Sequence, residues 1–222
     1  MIQDSFNLKK DKAILLLLLF SMLYVTLKVT CNPLFFRQIE LKLFFVDYPI
    51  KLTGSALVYS FIYVISDLIA LLSNRKTAIF IILCGIACDG LFSSTFYLLS
   101  SIDIPSVMSS SELIKTQSFN LLGAEMWRLF YHGLAAATVA SIGEVLLFSL
   151  LYKKIKSFFA STALSVIFTL SCHNLITDYP MLKHEPDAWN LIIHNLTINI
   201  SIMVLYAAIV SLFINLERRV LN

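Results

Sequence analysis

The sequence predicts an all-α, polytopic membrane protein of six transmembrane helices with both termini cytoplasmic. Three observations predict it. Only 14% of the 222 residues are charged and 58% are hydrophobic, whereas a soluble domain carries roughly a quarter charged residues. The apolar residues are gathered into long runs, and mean hydropathy is +0.81. Short basic turns separate several of these runs. A span needs about 20 apolar residues, and six segments fit: 13–31, 52–73, 77–100, 129–152, 158–177 and 196–216. Residues 1–222 read as one integral membrane domain.

The first run follows Lys9, Lys10 and Lys12 and resembles the start of a signal peptide. Its core continues to Val29, with Lys28 near the end, and no small-x-small cleavage site follows. It is therefore read as an uncleaved first span. Spans two and three are joined by Asn74-Arg75-Lys76 alone, and spans four and five by Lys153-Lys154-Ile155-Lys156. The other connections are longer and less basic.

Counting Lys and Arg sets the orientation. With the N-terminus inside, the inner set is Lys9, Lys10, Lys12, Arg75, Lys76, Lys153, Lys154, Lys156, Arg218 and Arg219, ten residues. The outer set is Lys28, Arg37, Lys42, Lys51, Lys115, Arg128 and Lys183, seven residues. The excess on the inner side obeys the positive-inside rule. The outer loops also collect acids, among them Glu40, Asp47, Asp103, Glu112, Glu125, Asp178, Glu185 and Asp187. A bacterial inner (plasma) membrane is the expected location.

Three acids remain, inside the spans: Asp67, Asp89 and Glu144. A charge at the bilayer centre costs roughly 3 kcal/mol on insertion scales. Such residues face a bundle interior and tend to serve function. Asp67 lies eight residues before Arg75, about 12 Å of helix rise, too far for a salt bridge along the helix. Arg75 and Lys76 read as the anchor of the turn. Asp67 and Glu144 are expected to face one interior cavity as ligand or proton sites. Asp89, among the small residues of CGIACDGLFSST, reads equally as a packing residue.

No GxSxG, HExxH or Gly-rich phosphate loop occurs, so no catalytic set is legible. Cys31, Cys84, Cys88 and Cys172 form no CxxC pair and read as packing residues. His132 and His173 lack a second ligand at metal spacing, and His184 and His194 belong in or beside an outer loop. His173 reads as a lining or packing residue. The chain is not expected to be an enzyme, and no cofactor, metal or nucleic-acid partner is expected. Self-association stays open.

The stretch GSALVYSFIYVISDLIALLSNRK (Gly54–Lys76) resembles the second-span region of the YhhQ-like queuosine precursor transporters, the vitamin uptake transporter family. Cys31-Asn32 is similar to the small residue plus Asn that closes the family's first span. Arg128, the Ala-rich stretch after it, and Ser141-Ile142-Gly143-Glu144 are similar to the fourth span, where Gly-Gln is usual. Three positions depart from the pattern. Glu144 stands where Gln is usual, Leu147 where Asp is usual, and Thr169 where span five usually carries Asp.

The resemblance implies import of a planar, deazapurine-like solute: 7-cyano- or 7-aminomethyl-7-deazaguanine, or queuine. The residue chemistry agrees. A deazaguanine edge offers two adjacent N–H donors, and a carboxylate, Glu144 or Asp67, would accept both in one fork. Aromatic rings such as Tyr59, Phe61 and Tyr63 would stack on its face, worth about 1–3 kcal/mol per base. The candidate substrate-binding residues are Asn32, Tyr59, Tyr63, Asp67, Asp89, Glu144 and His173. Other readings are a non-transport scaffold or assembly protein, the substrate-binding subunit of an energised vitamin importer, and an intramembrane enzyme. A scaffold would aim Asp67, Asp89 and Glu144 at different neighbours.

Overall fold

A computed structural model of the chain describes residues 10–41, 50–182 and 188–221. Lys9, Lys42, Asp47, Lys183, His184, Glu185 and Asp187 lie outside the described residues, as does Asp4. Six helices follow one another: α1 (Lys10–Phe35), α2 (Gly54–Leu72), α3 (Arg75–Ser100), α4 (Ser110–Ile155), α5 (Phe158–Leu182) and α6 (Ala188–Leu221). Between α1 and α2 runs a short antiparallel ribbon, β1 (Gln38–Leu41) and β2 (Ile50–Thr53), paired from Gln38↔Thr53 to Leu41↔Ile50. Apart from this ribbon and short connections, the longest being 101–109, the described residues are helical, as expected for a polytopic membrane protein.

Helix α2 is the axis of the bundle. Some 78% of its apolar window is buried, against 17% for α1, 28% for α3 and 17% for α6. A helix that is apolar all round belongs in a core, and α2 is apolar on nearly every face except for Ser55, Ser60, Ser66 and Asp67. All five other helices pack on it. The surrounding helices turn large apolar side chains outward, among them Leu15, Met22, Leu91, Val139 and Phe213. In water this surface would drive aggregation. In lipid it is the expected exterior, with backbone polar groups satisfied inside each helix.

Small residues set the closest approaches. A Cβ on Gly123 of α4 would lie 2.7 Å from the Phe96 carbonyl oxygen of α3, and a Cβ on Gly85 would lie 2.6 Å from the Tyr24 ring. These glycines let α3 meet α4 and α1 at short range.

Two helices extend past the expected spans. Helix α4 begins at Ser110, nineteen residues before the expected start of span four, and has 46 residues. At about 1.5 Å per residue it is near 69 Å long, more than twice the hydrocarbon thickness. Its start is a capping box: the Glu112 carboxylate accepts from the Ser109 backbone N–H at 2.8 Å, and the Ser109 hydroxyl accepts from the Glu112 N–H. That Ser-x-x-Glu signal stands in the sequence. The outer connection thereby shrinks to 101–109.

Among the described residues five helices are long and apolar enough to cross a membrane, and α5 carries the apolar stretch Phe158–His173. Helix α1 continues one turn beyond the expected end of span one, through Asn32 and Pro33 to Phe35.

Candidate functional site

Two polar clusters lie inside the bundle, one above the other along α2. Their order follows from a stripe on that helix. Tyr59, Tyr63 and Asp67 recur every four residues, so they share one face. Tyr59 and Asp67 are about 12 Å apart in helix rise.

The first cluster surrounds Lys28. This lysine is 7% exposed and was expected among the outer loop charges; the structure places it inside. Its Nζ lies 4.0 Å from Oδ2 of Asp89 on α3 and 5.6 Å from the centre of the Tyr59 ring. A buried lysine needs an anion or a π-face to replace its hydration, and α2 and α3 supply both. Asn32, one turn further along α1, donates from Nδ2 to Asp89 Oδ1 at 2.8 Å and approaches Ser93 Oγ at 3.5 Å. Asp89 is therefore held by Lys28 and Asn32 together.

The Tyr59 hydroxyl meets Nε2 of His173 on α5 at 3.2 Å, and the Tyr63 hydroxyl donates to the Tyr59 hydroxyl at 3.1 Å. The rings form a box of unlike orientations: Tyr59 and Tyr63 edge to face at 5.2 Å, Tyr59 and His173 tilted at 5.4 Å. Five of the seven candidate residues (Asn32, Tyr59, Tyr63, Asp89 and His173) thus come together around one lysine.

The second cluster holds the other two. Asp67 and Glu144 are both 0% exposed, and their carboxyl groups lie against each other between α2 and α4. Glu144 accepts from the Ser165 hydroxyl at 2.6 Å and also from the Thr169 hydroxyl, both on α5. Neither Asp67 oxygen finds a hydrogen-bond donor among the described residues. The Thr162 hydroxyl is turned toward Asp67 without completing a hydrogen bond, and it and the Ser161 hydroxyl are buried without partners among the described residues. Tyr63 links the layers: it is bonded to Tyr59 and within electrostatic reach of Glu144.

Lys28, Ser165 and Thr169 are site residues that sequence reasoning missed. For Lys28 the signal was present. Three acids inside spans require at least one counter-ion, and Lys28 shares a helical stripe with Tyr24 and Asn32, at spacings of four. On α5 the series Ser161, Ser165, Thr169 and His173, again at spacings of four, marked the polar face. The other histidine within the spans, His132, is exposed and meets the edge of the Tyr131 ring at 5.8 Å, away from both clusters.

An apolar exterior around a layered polar interior defines a multi-pass membrane protein. The chain belongs to the vitamin uptake transporter family: the family described as "Putative vitamin uptake transporter" matches residues 53–216. The match covers the ribbon's last residue and α2 onward, and leaves α1, with Lys28 and Asn32, outside it. No curated protein and no solved structure matches the chain. Glu144 and Thr169, two of the three positions at which the resemblance implies a different residue, are in contact.

Proposed function

We propose that the protein imports a small, planar, deazapurine-like solute, a queuosine precursor being the specific candidate, and that the Lys28 cluster is its binding site. The observation that carries this reading is the cluster itself. A carboxylate fixed by Lys28 and Asn32 stands beside Tyr59, Tyr63 and His173, at the depth where α1, α2, α3 and α5 converge. Asp89 would accept the two adjacent N–H donors of the base edge in a fork. Tyr59 and His173 would offer faces for stacking. A solute lacking the matching polar edge leaves these buried groups unpaired, which is how such a site rejects unsuitable solutes. Asp67 and Glu144 meet each other, which favours a carrier over a scaffold, whereas Asp89 turns to Lys28 and Asn32, so the three acids divide between two clusters.

The test is queuosine content of tRNA in a host lacking both precursor synthesis and its own transporter, with this gene supplied and precursor scarce. Restored queuosine is expected. Tyr59→Phe removes the hydroxyl that joins His173 and Tyr63 while keeping the ring. It is expected to reduce uptake about three- to tenfold at limiting substrate, the cost of one net hydrogen bond. Unchanged uptake would remove Tyr59 from the site.

Both termini and the two basic turns are assigned to the cytoplasm of a plasma membrane, with α5 crossing beside the other helices and its hydroxyl face turned to Glu144. Cysteines placed at Asn74 and Ile155 should resist an impermeant thiol reagent in intact cells and react after permeabilisation. Labelling of either in intact cells would reverse the topology.

A further inference from the structure

The Asp67–Glu144 pair lies about two helical turns along α2 from Tyr59 and has its own partners, so substrate binding leaves it unexplained. We propose that this pair is a proton-binding site, one proton shared between the two carboxyl groups, whose loading and release couples solute import to the proton gradient. The proposal rests on the reading of the chain as an uptake carrier and deepens it.

Geometry carries the argument. Two carboxyl groups lie against each other, both fully shielded from water. Written as carboxylates they would place two like charges in contact in a medium of low dielectric, which side chains avoid by sharing a proton. The hydrogen-bond pattern agrees. Ser165 and Thr169 donate to Glu144, whereas both Asp67 oxygens lack a donor among the described residues. A proton on one carboxyl supplies the missing donor: the O–H of one acid donates to an oxygen of the other. Release returns that proton to water and restores the second negative charge. No other bond changes.

The groups facing the pair support the same reading. From α2 comes Tyr63, already bonded to Tyr59. From α4 comes Glu144 itself, and from α5 come the hydroxyls of Thr162, Ser165 and Thr169. Helix α1 brings Tyr24 to the Tyr63 layer, and Lys28 stays with Asp89 of α3 and the Tyr59 ring. Helix α6 contributes apolar Met203 and Ala207 to the core. A sodium ion would want five or six oxygens, usually including carbonyls freed by an unwound helix. Helices α2, α4 and α5 are continuous at Asp67, Glu144 and Ser165, so their carbonyls are occupied. Asp67 lies seven residues before Asn74, about 10 Å of rise from the basic turn, a short path to the inner face.

The test needs no substrate in its first arm. Infrared spectra of the purified, lipid-reconstituted full chain at neutral pH should show a protonated-carboxyl C=O stretch that shifts in heavy water. Asp67→Asn/Glu144→Gln should remove it. A wild-type spectrum without the band, or a band undiminished in the double variant, overturns the proposal. Thermal stabilisation by sodium chloride that choline chloride fails to reproduce, with loss of the band, would assign the pair to a metal cation and also overturn it. In the second arm, proteoliposomes are given 7-aminomethyl-7-deazaguanine and an outside-acid gradient of about one pH unit, worth up to about tenfold accumulation for one proton per solute. Asp67→Asn should lose that accumulation while losing far less of the gradient-free exchange. Equal loss of both overturns coupling. A wild-type protein that takes up nothing fails the functional reading, whereas the infrared band still supports the proton site.

Discussion

Lys28→Ala is expected to give a protein that reaches the membrane, unfolds in detergent well below the wild-type temperature, and takes up no measurable precursor. Lys28 and Asp89 form an ion pair at 4.0 Å whose side chains are 9% and 3% exposed. Removing one partner of a buried pair strands the other charge and costs about 3–5 kcal/mol. The loss does not end at Asp89. Asn32 would lose its fixed acceptor, and the Tyr59 ring its cation. The informative companion is Lys28→Met/Asp89→Asn, which removes both charges and keeps side-chain length. Most of the lost stability should return, because no charge is left unpaired. Uptake should stay at background, because the fork acceptor for the solute is gone. Recovery of uptake along with stability would make the pair structural and move the binding site elsewhere.

That experiment turns on the residue the sequence reading placed in the wrong set. The spans themselves were legible, because length and apolarity are local properties. The spacing Tyr59, Tyr63, Asp67 and the all-round apolar character of span two stand in the sequence as signals of one polar face on a central helix, though neither was read there. Asp89 and Asn32 were legible as candidates, though not as partners, since 57 residues separate them in the chain and only the packing of α1 on α3 joins them. Lys28 was counted with the loop charges because position near a run's end outweighed its spacing from Tyr24 and Asn32. The ribbon between α1 and α2 and the long start of α4 were missed because both lie where hydropathy is silent. The Ser109/Glu112 capping box was the available signal for the second. The hydroxyl series of α5 went unread for a related cause: a hydropathy count averages Ser161, Ser165 and Thr169 into an apolar run and does not show that they share one face.

The second large effect is expected at that wall. Thr169→Asp alone should be the most damaging substitution in the α4–α5 interface, with uptake near background and poor recovery of folded protein. It sets a third carboxyl group against Glu144 and close to Asp67, where like charges in a buried site repel strongly. Glu144→Gln alone should fold nearly as well as wild type, its loss confined to the gradient-driven part of uptake. Gln keeps an oxygen to accept from Ser165 or Thr169, and gains an N–H that can donate to Asp67, whose oxygens have no donor among the described residues. The reciprocal exchange Glu144→Gln/Thr169→Asp restores the arrangement that the family resemblance implies, moving the acid from α4 to α5 across the same contact. It keeps two carboxyl groups in the cluster instead of three, and it gives the new carboxyl on α5 a neighbouring amide rather than a second anion. Uptake per folded protein in the double variant should exceed that of Thr169→Asp by at least about tenfold, a coupling of about 1.4 kcal/mol or more between the two positions. Residues that only pack near each other couple weakly, so effects that simply add would mean that Glu144 and Thr169 do not form one functional unit. In that case the acid at 144 would be placed by this chain for a reason outside the α4–α5 contact, and Asp67 would be left as the interior carboxylate that uptake depends on.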